Sequence, residues 1–507
     1  MLRGQLAPPD PDSAARLDTR VAAATAARLR RLERRLAERG GGSGGDRREL
    51  RRLTRAARAL LGEIPGRLRV ETLRGPDLRG FLAEAETWLR VERLAVAVAA
   101  ARRRTAGRAA LEAELFERIS RTEHLVHLVP RGRLDARFAA RARRFAGERL
   151  GRMASDLGAT LVGARLAAGP AARRLDAALT ARASAEQGRP GARIDLGSIA
   201  GPAGPLGLRA RPGSRLRVRL ERGLLRIDTG AARPRFVPAA GTLFAGVRAP
   251  LVTRRRIPGS PILLAPALRS TPRSLRVGRD LPGLDARLGR ALRLVRLAWP
   301  GAHRDLLART AMVVPVREPR LVSYSLADRP GISFINVHAK RTLVLADDLV
   351  HENAHHLLHD IEAVTRLVPP GPEAEEVQAF DSPWRGERRP LRGILHGTFT
   401  VLFRAELFAR LIEARAARPA PVTPLLAPRD PAFLRRELRR ELDLIGRGLD
   451  DLRRAGAVRL LTRDGRALLR QMEAWRGRIR RRAGRLAPRR ASRYDARVPQ
   501  PGTRRRP

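Results

Sequence analysis

Apolar residues recur at helical spacing through most of the first 185 positions. Residues 19–38 (TRVAAATAARLRRLERRLAE) read as an Ala/Arg helix that ends at the GGGSGGD stretch of 40–46. Leu50, Leu53, Ala57 and Leu61 resume the spacing, and Leu82, Ala85, Leu89, Val91, Leu94 and Val98 form an apolar stripe. The pattern changes near position 187. From Gly188 to Pro266, Gly and Pro recur between short segments, RLRVRL (215–220), LLRID (224–228) and PILLAP (261–266), which fit strands and turns. Residues 284–299 return to a helix, and AMVVPV (311–316), LVSYSL (321–326) and GISFINV (331–337) follow as strands, with DRPG (328–331) as a tight reversal. A helix capped by Asp347 or Asp348 then runs to about Arg366, before Pro369 and Pro370 stop it. Gly393 to Ala416, 433–455 and 464–482 read as three further helices.

These elements predict an α+β chain, predominantly helical, with a small sheet feeding the helix that holds residues 351–355. The chain divides into an Arg/Ala-rich helical region (1–185, its first 45 residues an arm), a Gly/Pro-rich region with short strands (186–280), a core domain (281–484), and an Arg/Pro-rich tail (485–507) expected to be disordered. No internal repeat is visible.

Composition narrows the function classes. The chain has no cysteine, which excludes disulfides, thiolate zinc sites and iron–sulfur clusters. Its N-terminal residues lack the pattern of a secretory signal, and no stretch approaches the roughly 18 uncharged apolar residues of a membrane span. A soluble, cytoplasmic protein is the expectation. The formal charge of +52 resembles a nucleic-acid signature, but Lys340 is the only lysine and aromatics are 4%. Nucleic-acid binders more often mix Lys with Arg and interleave aromatics for stacking, so nucleic acid is not expected as the main partner. The charge instead suits acidic partners.

Chemistry concentrates between 321 and 400. Seven of nine histidines lie between His303 and His396, four of them between His351 and His359. In His351-Glu352-Asn353-Ala354-His355 the two histidines share one side of a helix and can hold one divalent metal, with Glu352 as base or orienter of a bound water. His359 continues the same row, but three consecutive turns rarely focus on one ion, so His356 and His359 are expected at the periphery. A third ligand must come from elsewhere. His396 on the next helix is favoured over Glu375, which lies in a Pro/Gly-flanked acidic run, and Gly393 and Gly397 would let the helices approach closely. Leu358 and Ile361 stand where the extended metzincin motif needs Gly and His, which excludes that class. In Ser382-Pro383-Trp384-Arg385-Gly386-Glu387-Arg388-Arg389-Pro390, Trp384 and the prolines hold Arg385 and Arg389, which suits pairing of a small dicarboxylate beside the metal, with a basic surface loop as the alternative.

LVHENAH (349–355) followed by PWRGERRPLRGILHG (383–397) resembles the HExxH-type peptide β-hydroxylases found beside ribosomally synthesised peptide natural products, whose pattern is P-W-R-x-[D/E]-x-R-P-x-x-G. SYSLADRPGISFIN (323–336) and LLTRDGRALLRQM (460–472) are weaker matches, and the resemblance spans roughly residues 260–475. It implies an Fe(II)- and 2-oxoglutarate-dependent oxygenase that hydroxylates a side-chain β-carbon of a precursor peptide. His351, His355 and His396 would then hold iron, and Arg385 or Arg389 the 2-oxoglutarate carboxylate; Glu352 becomes ligand or orienter. The cationic surface would suit an acidic leader peptide. A zinc peptidase with Glu352 as general base is the alternative, and a basic nucleic-acid-binding protein a further one.

Overall fold

The computed structural model describes residues 11–37, scattered helical positions between 48 and 89, the backbone of strands between 194 and 238, and residues 255–486. Within that last stretch 266, 272–273, 278–280, 320–321, 328–329, 370–379, 385–386 and 455–459 are left out, and 268–277 are described as backbone only. The described chain is mostly helical, with a small mixed sheet at its centre.

Helix α1 (Pro11–Ala37) falls in the stretch expected as an arm. It buries Val21, Ala22, Thr25, Leu29, Leu32 and Leu36 at helical spacing, and Ala22, Leu29, Leu32 and Leu36 join a cluster that includes Leu50, Ala57, Leu61, Phe81 and Leu82. The Gly/Pro-rich region forms the antiparallel hairpin of β1 (Ile194–Gly201) and β2 (Gly204–Ala210). It also forms a three-stranded antiparallel sheet of β3 (Arg217–Glu221), β4 (Leu224–Asp228) and β5 (Arg235–Pro238). The helical expectation for 90–185 and the tail 487–507 lie outside the described residues.

The central sheet takes strands from both sides of position 280. Its strands are β6 (Leu263–Leu264), β7 (Leu268–Thr271), β8 (Ser274–Val277), β9 (Met312–Val316), β10 (Tyr324–Ser325) and β11 (Ile332–Asn336), in the order β10-β11-β9-β7-β8, with β6 also on β9. β9 is parallel to β11, β6 and β7, and β9 and β11 are buried throughout, as parallel strands covered on both faces should be. Alternation sorts the side chains. Val313 and Ile335 join the helical core, whereas Met312, Val314, Val316, Ile332 and Phe334 form a separate cluster on the opposite face. The carbonyl of Val313 accepts from Ala265 N, so Pro315, two residues on, turns its missing N–H to the same edge. There the partner strand is interrupted, between β6 and β7.

Helices α2 (Leu284–Ala298) and α3 (Pro300–Arg309) form the crossover into β9; α3 begins on Pro300, whose fixed φ suits a first helical turn. After β11 comes α4 (Thr342–Val364), the helix of the histidine row. It starts a turn and a half earlier than expected and has no side-chain cap, so Asp347 and Asp348 lie inside it rather than at its end. A short ribbon, β12 (Phe380–Asp381) with β13 (Arg388–Arg389), leads into α5 (Leu391–Ala417). α5 is apolar nearly all round and is buried between α4, α6 (Asp430–Arg453) and α7 (Arg463–Leu486). Phe403 at its centre meets Trp299 (ring centroids 5.8 Å apart) and Trp475 (4.8 Å). Gly448 on α6 permits close approach to α5, since a Cβ there would strike Thr398 Oγ1 and come within 2.9 Å of Trp384.

Candidate metal centre

α4 and α5 pack antiparallel, because Glu362 near the end of α4 meets Arg392 and His396 at the start of α5, while Asp347 near the start of α4 meets Arg404. The groove between them, closed by residues of β10 and by Trp384, is a cavity of ≈ 670 Å³. α4 contributes Val344, Asp347, Asp348, His351, Glu352, His355 and His359; α5 contributes Arg392, Gly393, His396, Gly397, Thr400, Val401 and Arg404. Both sets follow the three- and four-residue steps of a single helix face.

One ring nitrogen from each of His355, His359 and His396 lies within 4.8 Å of the others, the single such group of three among the described residues. His351 lines the same cavity with its ring edge-on to His355 (centroids 5.1 Å apart), outside that triad. The triad therefore stands one helical turn beyond the HExxH pair and includes His359, which sequence reasoning had put at the periphery. Nδ1 of His359 is buried without a hydrogen-bond partner. Burial first, then the neighbouring histidines, hold His355 and His359 well below the ordinary imidazole pKa, so both are neutral at pH 7 and have ring lone pairs for an ion. Nε2 of His396 meets Glu362 Oε1 at 2.9 Å, and Arg392 pairs with the same carboxylate at 3.0 and 2.8 Å. Burial would raise the pKa of Glu362, but His396 and Arg392 outweigh it and hold the carboxyl well below its usual range. A carboxylate behind a ligating histidine is the arrangement that orients metal sites. The neutral rings of His355 and His359, converging with that of His396, and an unmet Nδ1 fit a divalent transition metal.

The other expected residues divide. Glu352 is 1% exposed and accepts from Ser325 Oγ at 2.7 Å; burial pushes its carboxyl up to about 8, against that bond and with Asp348 adding to the rise. His356 lies on another side of α4, bonded to Gly331 N and Ser333 Oγ, and burial lowers its pKa to about 4, so it ties the helix to β11. Arg389 lines the cavity and pairs with Glu387 at 2.7 Å. Arg385 and Glu375 lie outside the described residues. Gly393 and Gly397 do not bring the two helices together. Gly393 makes room for Arg389, 3.4 Å from where a Cβ would be, and Gly397 for Trp384 at 3.1 Å.

Sequence reasoning missed Glu362, although its place three residues after His359, with Arg392 and His396 one turn apart on the facing helix, is a readable signal. It also missed the support behind α4. There Asp305 accepts from Asn353 (2.7 Å) and pairs with Arg309 (2.8 Å); Arg309 also pairs with Asp360, which Arg79 meets at 2.5 Å. Asp18 of α1 joins through Arg74 (2.7 Å) and lies 3.8 Å from Arg309. Three acids and three arginines thus bind the N-terminal helices to the back of the histidine helix.

What fold and site define is a candidate metal centre in a helix–helix groove. No known family model matches the chain, and no curated protein matches it. Among the described residues, no helix is long and apolar enough to cross a membrane.

Proposed function

We propose that the chain is an Fe(II)- and 2-oxoglutarate-dependent oxygenase that hydroxylates a side-chain β-carbon of a ribosomally made precursor peptide in the cytoplasm. The observation that carries the metal assignment is the triad of His355, His359 and His396 with its unpartnered Nδ1. Bound there with 2-oxoglutarate and dioxygen, iron supplies the oxidising power to hydroxylate an unactivated C–H bond. The chain supplies position. Glu362 holds the His396 ring, and Arg392 holds Glu362. Arg389 takes the distal carboxylate of 2-oxoglutarate. Its present partner Glu387 is exposed, so that ion pair is weak and an incoming carboxylate can replace it. Trp384, seated on Gly397 and Gly448, fixes the loop that carries the arginine. The order of the HExxH and P-W-R-x-E-x-R-P motifs supports the same reading from the sequence side.

The zinc-peptidase alternative needs a glutamate between two ligating histidines one turn apart. Between His355 and His359 no glutamate occurs, and Glu352 is turned to Ser325. The deciding experiment is anaerobic titration of metal-free protein with Fe(II) and 2-oxoglutarate, reading the visible charge-transfer band of the chelate. The band should appear in the native protein, vanish in His359→Ala and weaken in Arg389→Ala. Absence of the band, with tight Zn(II) binding and peptide cleavage lost in Glu352→Gln, would transfer the assignment to the peptidase. Nucleic-acid binding that ignores metal, with neither activity, would leave the basic surface as the functional feature.

A further inference from the structure

The cavity changes character away from the histidines. At the N-terminal end of α4, Asp347 Oδ2 meets Arg404 at 2.8 Å, and Arg404 also reaches Glu441 at 3.2 Å. Asp348 is matched separately by Lys340 at 2.5 Å and accepts from Ser323 at 2.9 Å. Two buried carboxylates therefore share one guanidinium. Asp347 is 3% exposed, lines the cavity, and its Oδ1 is buried with no hydrogen-bond partner. A buried acceptor left unmet is destabilising, and a buried carboxylate without its full counter-charge is more so. A proton on Asp347 relieves this. Burial pushes the Asp347 carboxyl up to about 7, against the opposing pull of Arg404.

We propose that this end of the cavity is a subsite for a positively charged group of the substrate, an ammonium or guanidinium that donates to Asp347 Oδ1. The substrate is then a peptide with a basic residue near the position modified, an inference that rests on reading the triad as the reactive centre. Val344 and Val401 line the approach and offer an apolar wall to the methylene stem of a long cationic side chain. A metal ion fits poorly, because the guanidinium of Arg404 lies against both carboxylates, and among the described residues no three ligating side chains converge at this end. Asp347 precedes His355 by eight positions, about 12 Å along the helix at its 1.5 Å rise. An extended peptide covers roughly 3.3–3.6 Å per residue. The basic residue therefore sits about two to four positions from the modified one, once its side-chain reach is counted. The local preference runs opposite to the protein's overall charge, so a chain of uniform acidity would be steered to the surface yet not seated at this end.

The test needs neither iron nor a known precursor. Calorimetric titration of the metal-free, full-length protein compares butylguanidine with its neutral isostere butylurea. Butylguanidine should bind at least tenfold more tightly, and Asp347→Asn should remove that preference. Val344→Trp, which keeps every charge but fills the end of the cavity, should weaken butylguanidine at least tenfold, while His359→Ala leaves its binding unchanged. Equal binding of the two probes in the native protein overturns the proposal, and so does a butylguanidine preference that persists in both Asp347→Asn and Val344→Trp. Failure of the iron titration would leave these measurements interpretable, and a negative result here would leave the iron band untouched.

Discussion

Replacing His359 by alanine distinguishes two registers of one helix. The HExxH spacing would put an ion between His351 and His355; the geometry instead brings together His355, His359 and His396 as the group able to hold one. Apparent metal-binding free energies for structural zinc sites are roughly 10–16 kcal/mol at neutral pH. Shared over three or four ligands, that is about 2.5–5 kcal/mol each, or two to four powers of ten in affinity. His355 and His359 are already neutral, so at pH 7 their deprotonation does not mask the loss. Glu362→Gln gives an intermediate step. The amide still accepts from His396 but loses the charge that Arg392 pairs with, and partners of this kind are worth about 10–100-fold in metal affinity. Competition for Zn(II) against a chromophoric chelator measures all three variants on one scale. The expected order of loss is His359→Ala, then Glu362→Gln, then His351→Ala, the last below tenfold. A larger loss in His351→Ala than in His359→Ala would falsify the triad and restore the HExxH pair.

Three further outcomes follow from the buried charges and the helix contacts. Glu352 (about 8) and Asp347 (about 7) have folded pKa values above their unfolded ones, so the metal-free folded state binds the extra protons and loses stability as pH rises through that window. Urea denaturation should show stability falling on the order of 2 kcal/mol between pH 6.5 and 8.5, and a rise over that interval would contradict the assignment. Arg309→Met leaves Asp305 and Asp360 without their shared guanidinium and should destabilise by about 3–5 kcal/mol, with faster proteolysis of the N-terminal helices. An unchanged melting temperature would show that the ion cluster does not join the two parts. Gly448→Ala places a methyl against Thr398 and Trp384 and should cost about 1–3 kcal/mol in thermal unfolding; a neutral effect would mean that α5 and α6 can move apart.

Periodicity made the helices legible. The apolar step over 284–299 and 393–416 matches α2 and α5 to within two residues at each end, because burial of one face or of the whole surface repeats at every turn. The strands were partly legible. MVVPV and ISFIN are short apolar runs buried on both faces, whereas LVSYSL yields only the two residues Tyr324 and Ser325 as strand, at the sheet edge where pairing is one-sided. The start of α4 was missed because two acids inside a helix look like caps when their partners are unseen. Asp347 and Asp348 are matched by Arg404 and Lys340, one of them on a helix more than fifty residues away.

The metal site shows where such reading stops. His351, His355 and His359 are equivalent in sequence, one per turn on one face, and nothing within α4 selects which neighbouring pair meets a third histidine. The choice is made by the longitudinal register of α5. That register is set by charge pairs at both ends of the groove, Glu362 with Arg392 near one end and Asp347 with Arg404 near the other. Between those fixed points His396 comes opposite His355 and His359, with ring centroids 5.9 and 5.5 Å away. Shifting α5 by one turn, about 5.4 Å, would carry His396 towards His351, but it would also separate both charge pairs and leave their carboxylates buried and unmatched. The ion pairs are therefore part of the candidate metal site even though neither arginine offers a ligand.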